Sequence, residues 1–286
     1  MPSLVIARLT VQEASRRRLL LALVILTLLV VGFSAWGFNK ITTVTRSDGT
    51  LLPPAQVALI TSQLLIVITF MYSGVLALSA AVVAGPLISS EVESGMLLSM
   101  LARPMRRSEV VIGKWLGLAV LVGIYAAGSA FFEILAVDWA TGYVPPHPID
   151  LVLYVGAEGL ALLSLGLLLS TRLAGITGGV IALVAWLIAW IAGVVGDIGA
   201  SLQNQAVENV RTISHLILPT DGLWRGAVYA MEPDVVLASL RAAGTIGRAN
   251  PFSAVDPPPV QFLVWVVTWF ALMLALSVWS FRTREI

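Results

Sequence analysis

SSEVESGMLLSMLARPMRRSEVVIGK, residues 89–114, is a charged island between two long apolar runs. It carries Glu91, Glu93 and Glu109 together with Arg103, Arg106, Arg107 and Lys114. No charged residue lies between Asp48 and Ser89, and none between Lys114 and Glu133. Such an island does not lie in hydrocarbon, so it belongs at one face of a membrane. Its cations assign that face to the cytoplasm. The apolar runs on either side then cross in opposite directions, which makes the chain an all-α integral membrane protein.

The island has its own pattern. Ser89 or Ser90 is a candidate cap, with Glu91 and Glu93 in the first turn that follows, where a carboxylate meets the positive end of a helix. Met96, Leu97, Met100 and Leu101 then fall at helical spacing. Pro104 ends that helix, and Ser108 offers a second cap before Val110. A solvated loop is the plain alternative reading.

These residues resemble a known signature. Glu91-x-x-Ser94-Gly95, a short apolar helix, Arg103-Pro104, Arg107-Ser108-Glu109 and Gly113-Lys114 are similar, in order and spacing, to the corresponding run of type-2 ABC-transporter permeases. Met96 departs from the threonine that many members carry at the helix start. The resemblance implies a six-span permease whose segment 89–114 is a coupling segment. Glu91, Glu93, Gly95, Leu97, Met100, Leu101, Arg103, Pro104 and Arg107 would then meet a separate ATP-binding-cassette ATPase, present in two copies. It also implies a second permease copy or close homologue, export as the direction, and ATP and magnesium held by the ATPase, with no cofactor in this chain.

Composition agrees with the membrane class. Of 286 residues, 58% are hydrophobic and 12% charged, and the mean hydropathy is +0.93, far above a soluble domain. A net charge of +1 without a long basic patch gives no footprint for nucleic acid. The absence of cysteine excludes disulfides and thiolate chemistry.

Residues 1–18 alternate Leu4, Val5, Leu9 and Val11 with Arg8, Gln12, Ser15 and Arg16, the pattern of an amphipathic helix on the inner surface. Spans follow at 19–38, 57–88, 115–137, 151–170, 175–196 and 260–281, each long enough to cross. Gly85-Pro86 loosens the inner end of the second span. Gly175 and Gly179 form a small-residue pair for close packing. Residues 197–259 form an extracytoplasmic segment whose apolar pieces, 213–218 and 223–231, read as re-entrant or interfacial helices. The short inner segments hold most of the arginines, and the short outer loops hold only Lys40 and Arg46. That bias predicts a plasma (inner) membrane protein with both termini cytoplasmic.

Motifs for catalysis are missing from the sequence. Gly113-Lys114 is followed by Trp115 and lacks the preceding glycine-rich loop of a phosphate cradle. The two histidines, His147 and His215, read as loop or interface residues rather than metal ligands. Glu158 is different. At 1.5 Å per residue it lies ~12 Å into the fourth span, and an intramembrane carboxylate reads as functional by default. It is a candidate for the translocation pathway, or for an ion-coupled secondary transporter as the alternative function. An interhelical pairing or a wet cleft is the plain reading. Glu133 is expected only at the outer headgroups.

Overall fold

The computed structural model describes residues 2–15, 18–45, 49–93, 106–244 and 250–284. Eleven helices are described: α1 (Pro2–Ser15), α2 (Arg18–Thr42), α3 (Pro54–Ala84), α4 (Pro86–Glu93), α5 (Arg107–Thr141), α6 (Pro148–Ser170), α7 (Gly175–Ser201), α8 (Gln205–Ile217), α9 (Thr220–Met231), α10 (Asp234–Ala242) and α11 (Val260–Arg282). Six of them, α2, α3, α5, α6, α7 and α11, are long and apolar enough to cross a membrane. One end of the bundle carries α1, α4, the α6–α7 turn and the end of α11, and is called here the terminal end. The far end carries the α2–α3 and α5–α6 turns and the outer edge of α8–α10.

The helices overrun the apolar runs. α5 begins at Arg107 and ends at Thr141, well outside 115–137. Its start is fixed by Glu109, whose Oε2 accepts from the Arg106 backbone N–H at 3.0 Å. The cap is therefore Arg106, not Ser108. Its end is fixed by Gly142 at φ 69°, a left-handed position that glycine adopts without a Cβ clash, with its N–H on the Asp138 carbonyl at 2.8 Å. Apolar patterning marks the part of a helix that meets lipid, whereas capping chemistry sets where the helix stops.

The break expected at Gly85-Pro86 is present: α3 stops at Ala84 and α4 restarts at Pro86. Consequently Ser89 and Ser90 sit inside α4, and Glu91 and Glu93 fall in its last described turn rather than in the first turn of a new helix. Gly175, at the first position of α7, lets α7 approach this break, since a Cβ there would lie 2.7 Å from Pro86 Cα.

α1 lies along the terminal end of α5. The contact runs through Gly113 and Gly117, one turn apart. A Cβ at Gly113 would be 2.7 Å from the Ser3 carbonyl oxygen, and one at Gly117 would be 2.6 Å from that of Ala7. Leu4, Val5 and Leu9 remain exposed on the other side of α1.

α6 is the central span, packed by α3, α5, α7, α9 and α11. The largest core cluster includes Leu65, Ile66, Val155, Trp224, Ala227 and Met231, drawn from α3, α6 and α9. Phe70 sits among Trp186, Trp190, Trp224 and Phe252, with ring centroids 5.0–6.0 Å away.

Candidate functional site: the two ends of the bundle

At the terminal end, arginines gather the helix termini. Arg107 Nη1 donates to the carbonyls of Phe281, Arg282 and Arg284 at 3.2, 3.2 and 2.8 Å, covering the open end of α11. Arg284 Nη1 reaches the Thr171 carbonyl at 2.7 Å, and Arg172 Nε reaches Ser280 Oγ at 3.1 Å. Lys114 is buried and donates to the Leu87 carbonyl at 2.7 Å, tying α5 to α4. Lys114 is thus an interhelical donor, not a side chain reaching out to the interface.

Of the residues that the resemblance assigned to ATPase contact, Gly95, Leu97, Met100, Leu101, Arg103 and Pro104 lie outside the described residues. Glu91 and Glu93 lie on α4 next to that gap. Arg107 is committed within the chain, to α11. Its guanidinium is an internal strut, because helix-end carbonyls need donors and Arg107 stands one residue inside the neighbouring helix.

In the middle of the bundle two consecutive residues of α3 each hold a carboxyl group. Ser73 Oγ donates to Glu158 Oε1 on α6 at 2.6 Å, and Tyr72 Oη donates to Glu133 Oε2 on α5 at 3.3 Å. Trp186 Nε1 on α7 also reaches Glu158 Oε1, at 2.9 Å. Glu158 is 1% exposed and Glu133 is 2% exposed. Glu158 therefore sits enclosed where α3, α6 and α7 meet. Glu133 is a buried interhelical acceptor on α5, which runs on for eight residues beyond it to Thr141.

The far end holds a feature that the sequence reading missed. α8 descends beside α7 from the far end, and Ser214 Oγ reaches the Ala189 carbonyl at 3.5 Å, ~18 Å along α7 from Ser201. α9 then returns, and its last residues meet the far-end loops: Tyr143 Oη donates to the Met231 carbonyl at 2.6 Å and the His147 N–H to that of Ala230 at 3.2 Å. The pair is a re-entrant hairpin. Its apex needs donors for carbonyls cut off from water. Trp269 Nε1 supplies Ile217 at 2.9 Å and Trp265 Nε1 supplies His215 at 3.2 Å.

Glycines on α7 make room for the hairpin. A Cβ at Gly193 would strike the Asp221 carboxylate, one at Gly196 would strike Arg211, and one at Gly199 would meet the backbone at Val207–Glu208. That closeness brings five polar side chains together. Asp197 binds Arg211 Nη1 at 2.7 Å and Arg225 Nη1 at 2.5 Å. Asp221 Oδ2 binds Arg225 Nε at 2.9 Å and His215 Nε2 at 2.8 Å. Burial pushes the Asp221 carboxyl up, but the His215 hydrogen bond and the Arg225 charge outweigh it, and the group is held below the usual carboxylate range. The spacing Gly193-x-x-Gly196-x-x-Gly199 and the Asp221-x-x-x-Arg225 pair inside an apolar piece were the available signals. Among the described residues no cluster of three or more potential metal ligands occurs.

A six-span helical bundle carrying a re-entrant hairpin before its last span fits the expected permease architecture. A family model described as "ABC-2 family transporter protein" matches residues 4–286. The chain belongs to the ABC-2 transporter family. A search of curated proteins returns no match. The ABC-2 assignment covers nearly the whole chain and makes it a multi-pass membrane transport component, of the permease kind rather than the catalytic kind. Permeases of the ABC-2 family generally work with an ATPase partner.

Proposed function

We propose that this ABC-2 permease moves a substrate out across the plasma membrane, driven by ATP bound and hydrolysed, with magnesium, on two copies of a separate ATPase. A second permease copy or close homologue completes the translocation path. The terminal end faces the cytoplasm, as the arginine bias requires, and segment 89–114 receives the ATPase.

One observation supports the coupling role: Lys114 on α5 is fastened to α4 through the Leu87 carbonyl, so the helices on either side of the segment are tied together. Displacement of the segment is passed to α5, an unbroken helix of 35 residues, and through Arg107 to the end of α11. Glu91 lies in the last described turn of α4, and a carboxylate there would pair with an ATPase cation through a charge-assisted bond. Glu158, held by Ser73 and Trp186, acts here as a lock between α3, α6 and α7 rather than as the seat of an ion-coupled carrier.

The test is affinity purification of the tagged chain from native membranes. An ABC-type ATPase is expected in equimolar amount. Its absence, with the chain folded, contradicts the reading. Sidedness is checked separately in the cysteine-free parent: Gln12→Cys is expected to label from the cytoplasm and Asn204→Cys from outside, and labelling of both from one face contradicts it.

A further inference from the structure

The far-end cluster opens onto a cleft of about 350 Å³, within the range of small-ligand sites. Four elements build it: α7 through Asp197, α8, α9, and the chain from Ser253 to Phe262 that enters α11. The cluster is not evenly presented to this space. The Asp197 and Asp221 side chains are 2% and 0% exposed, whereas Arg211, His215 and Arg225 are 28%, 20% and 16% exposed. The carboxylates lie behind, held in ion pairs, and hydrogen-bond donors stand in front.

Those donors are not exhausted. Arg211 engages Asp197 and Glu208 through Nη1 and Nη2, which leaves Nε–H. Arg225 engages Asp197 and Asp221 through Nη1 and Nε, which leaves Nη2. A separate observation points the same way. α11 begins beside the cleft after Pro257-Pro258-Pro259, and its cap residue, Pro259, has no side-chain acceptor to offer the first amides. The positive end of a 23-residue helix thus adds to the donor wall. Pro257–Pro259 and Phe262 supply an apolar wall, and Asp256 is the carboxylate on the rim.

We propose that this cleft binds an acceptor-rich anionic group, a phosphate or carboxylate, whose attached apolar part lies against Pro257–Pro259 and Phe262. Guanidinium groups preheld by Asp197 and Asp221 bind such an anion without being reordered. The site is independent of ATPase coupling and stands or falls separately from it.

The experiment uses the full chain in nanodiscs of zwitterionic phosphatidylcholine, with binding followed by calorimetry. The probes are inorganic phosphate and dihexanoyl phosphatidic acid. Saturable binding is expected, weakened at least tenfold by Arg211→Gln, with the phosphatidic acid the tighter of the two probes because its chains meet the apolar wall. Tighter but not exclusive binding of the phosphatidic acid identifies a small organic anion as the ligand type, binding of the phosphatidic acid alone identifies a lipid-borne phosphate, and equal binding of the two probes contradicts the role given to the apolar wall. Three results overturn the proposal: neither probe binds the parent, tetramethylammonium binds more tightly than phosphate, or folded Arg211→Gln binds undiminished.

Discussion

Trp269 Nε1 donates to the Ile217 carbonyl oxygen at 2.9 Å, from ~14 Å along α11. A chain that turns round inside a membrane protein exposes carbonyls that water does not reach, and here two indoles of the last span replace water. Trp269→Phe keeps most of the ring volume and strands the Ile217 carbonyl. The expected cost is about 1–3 kcal/mol, read as a lower thermal midpoint of the purified chain in detergent. Trp265→Phe is expected to cost less, because its bond to His215 is longer, at 3.2 Å. A midpoint unchanged by Trp269→Phe would show that the apex finds its donor elsewhere.

The glycines of α7 set the hairpin's approach. Gly193→Ala pushes on Asp221, and Gly196→Ala on Arg211. Both are expected to lower the midpoint and to loosen α8, so that a cysteine placed at Ser214 reacts faster with maleimide. Gly128→Ala on α5, where a Cβ meets nothing within 4 Å, is expected to leave the midpoint unchanged or raise it, since alanine favours a helix interior by up to about 1 kcal/mol. Equal effects at Gly128 and Gly193 would mean that close approach is not what the α7 glycines provide.

Glu158 distinguishes lock from pathway. Glu158→Gln keeps an acceptor oxygen for Ser73 and Trp186 and is expected to preserve stability. Glu158→Leu strands both donors and is expected to lose about 1–3 kcal/mol for each. If Glu158→Gln halts transport in a fully stable complex, the carboxyl has a role in translocation and the lock assignment fails.

Glu232, just after α9, gives a pH signature. Burial pushes its carboxyl up to about 7, with the Ala254 amide opposing the rise. A raised carboxyl stabilises the fold while protonated, so its contribution is complete below the ordinary carboxylate range and is lost as pH climbs through about 7. Glu232→Gln is therefore expected to flatten the fall of the midpoint between pH 5 and pH 8, chosen as roughly two units below and one above. An identical slope in the two proteins would exclude Glu232 as its source.

The bundle was legible in the sequence because hydropathy, arginine bias and length are each properties of single segments. Helix ends were less legible: Arg106 caps α5 through Glu109, and Gly142 closes it, beyond the apolar run. The far-end cluster was hidden for a different reason. Asp197, Arg211 and Arg225 look like scattered loop charges until Gly196 and Gly193 allow α8 and α9 to press against α7. The bond from Arg107 to the end of α11 was hidden because its acceptor lies 174 residues away in the chain. Glu133 and Glu158 sit on different helices, and what they share, hydrogen bonds from the consecutive residues Tyr72 and Ser73 of α3, shows only in the folded bundle.

The central claim, that segment 89–114 couples this permease to an ATPase, is tested most directly with Glu91→Lys. The complex of chain and ATPase is purified in nanodiscs, and ATPase retention and permease-dependent ATP hydrolysis are compared with the parent. Reversing the charge at a protein contact typically costs 2–5 kcal/mol or more, so loss of the ATPase, or loss of permease-dependent hydrolysis, is expected while the chain remains inserted and folded. Glu109→Lys, on the α5 side of Pro104, is expected to do less. Full retention and parental hydrolysis in Glu91→Lys would contradict the coupling assignment.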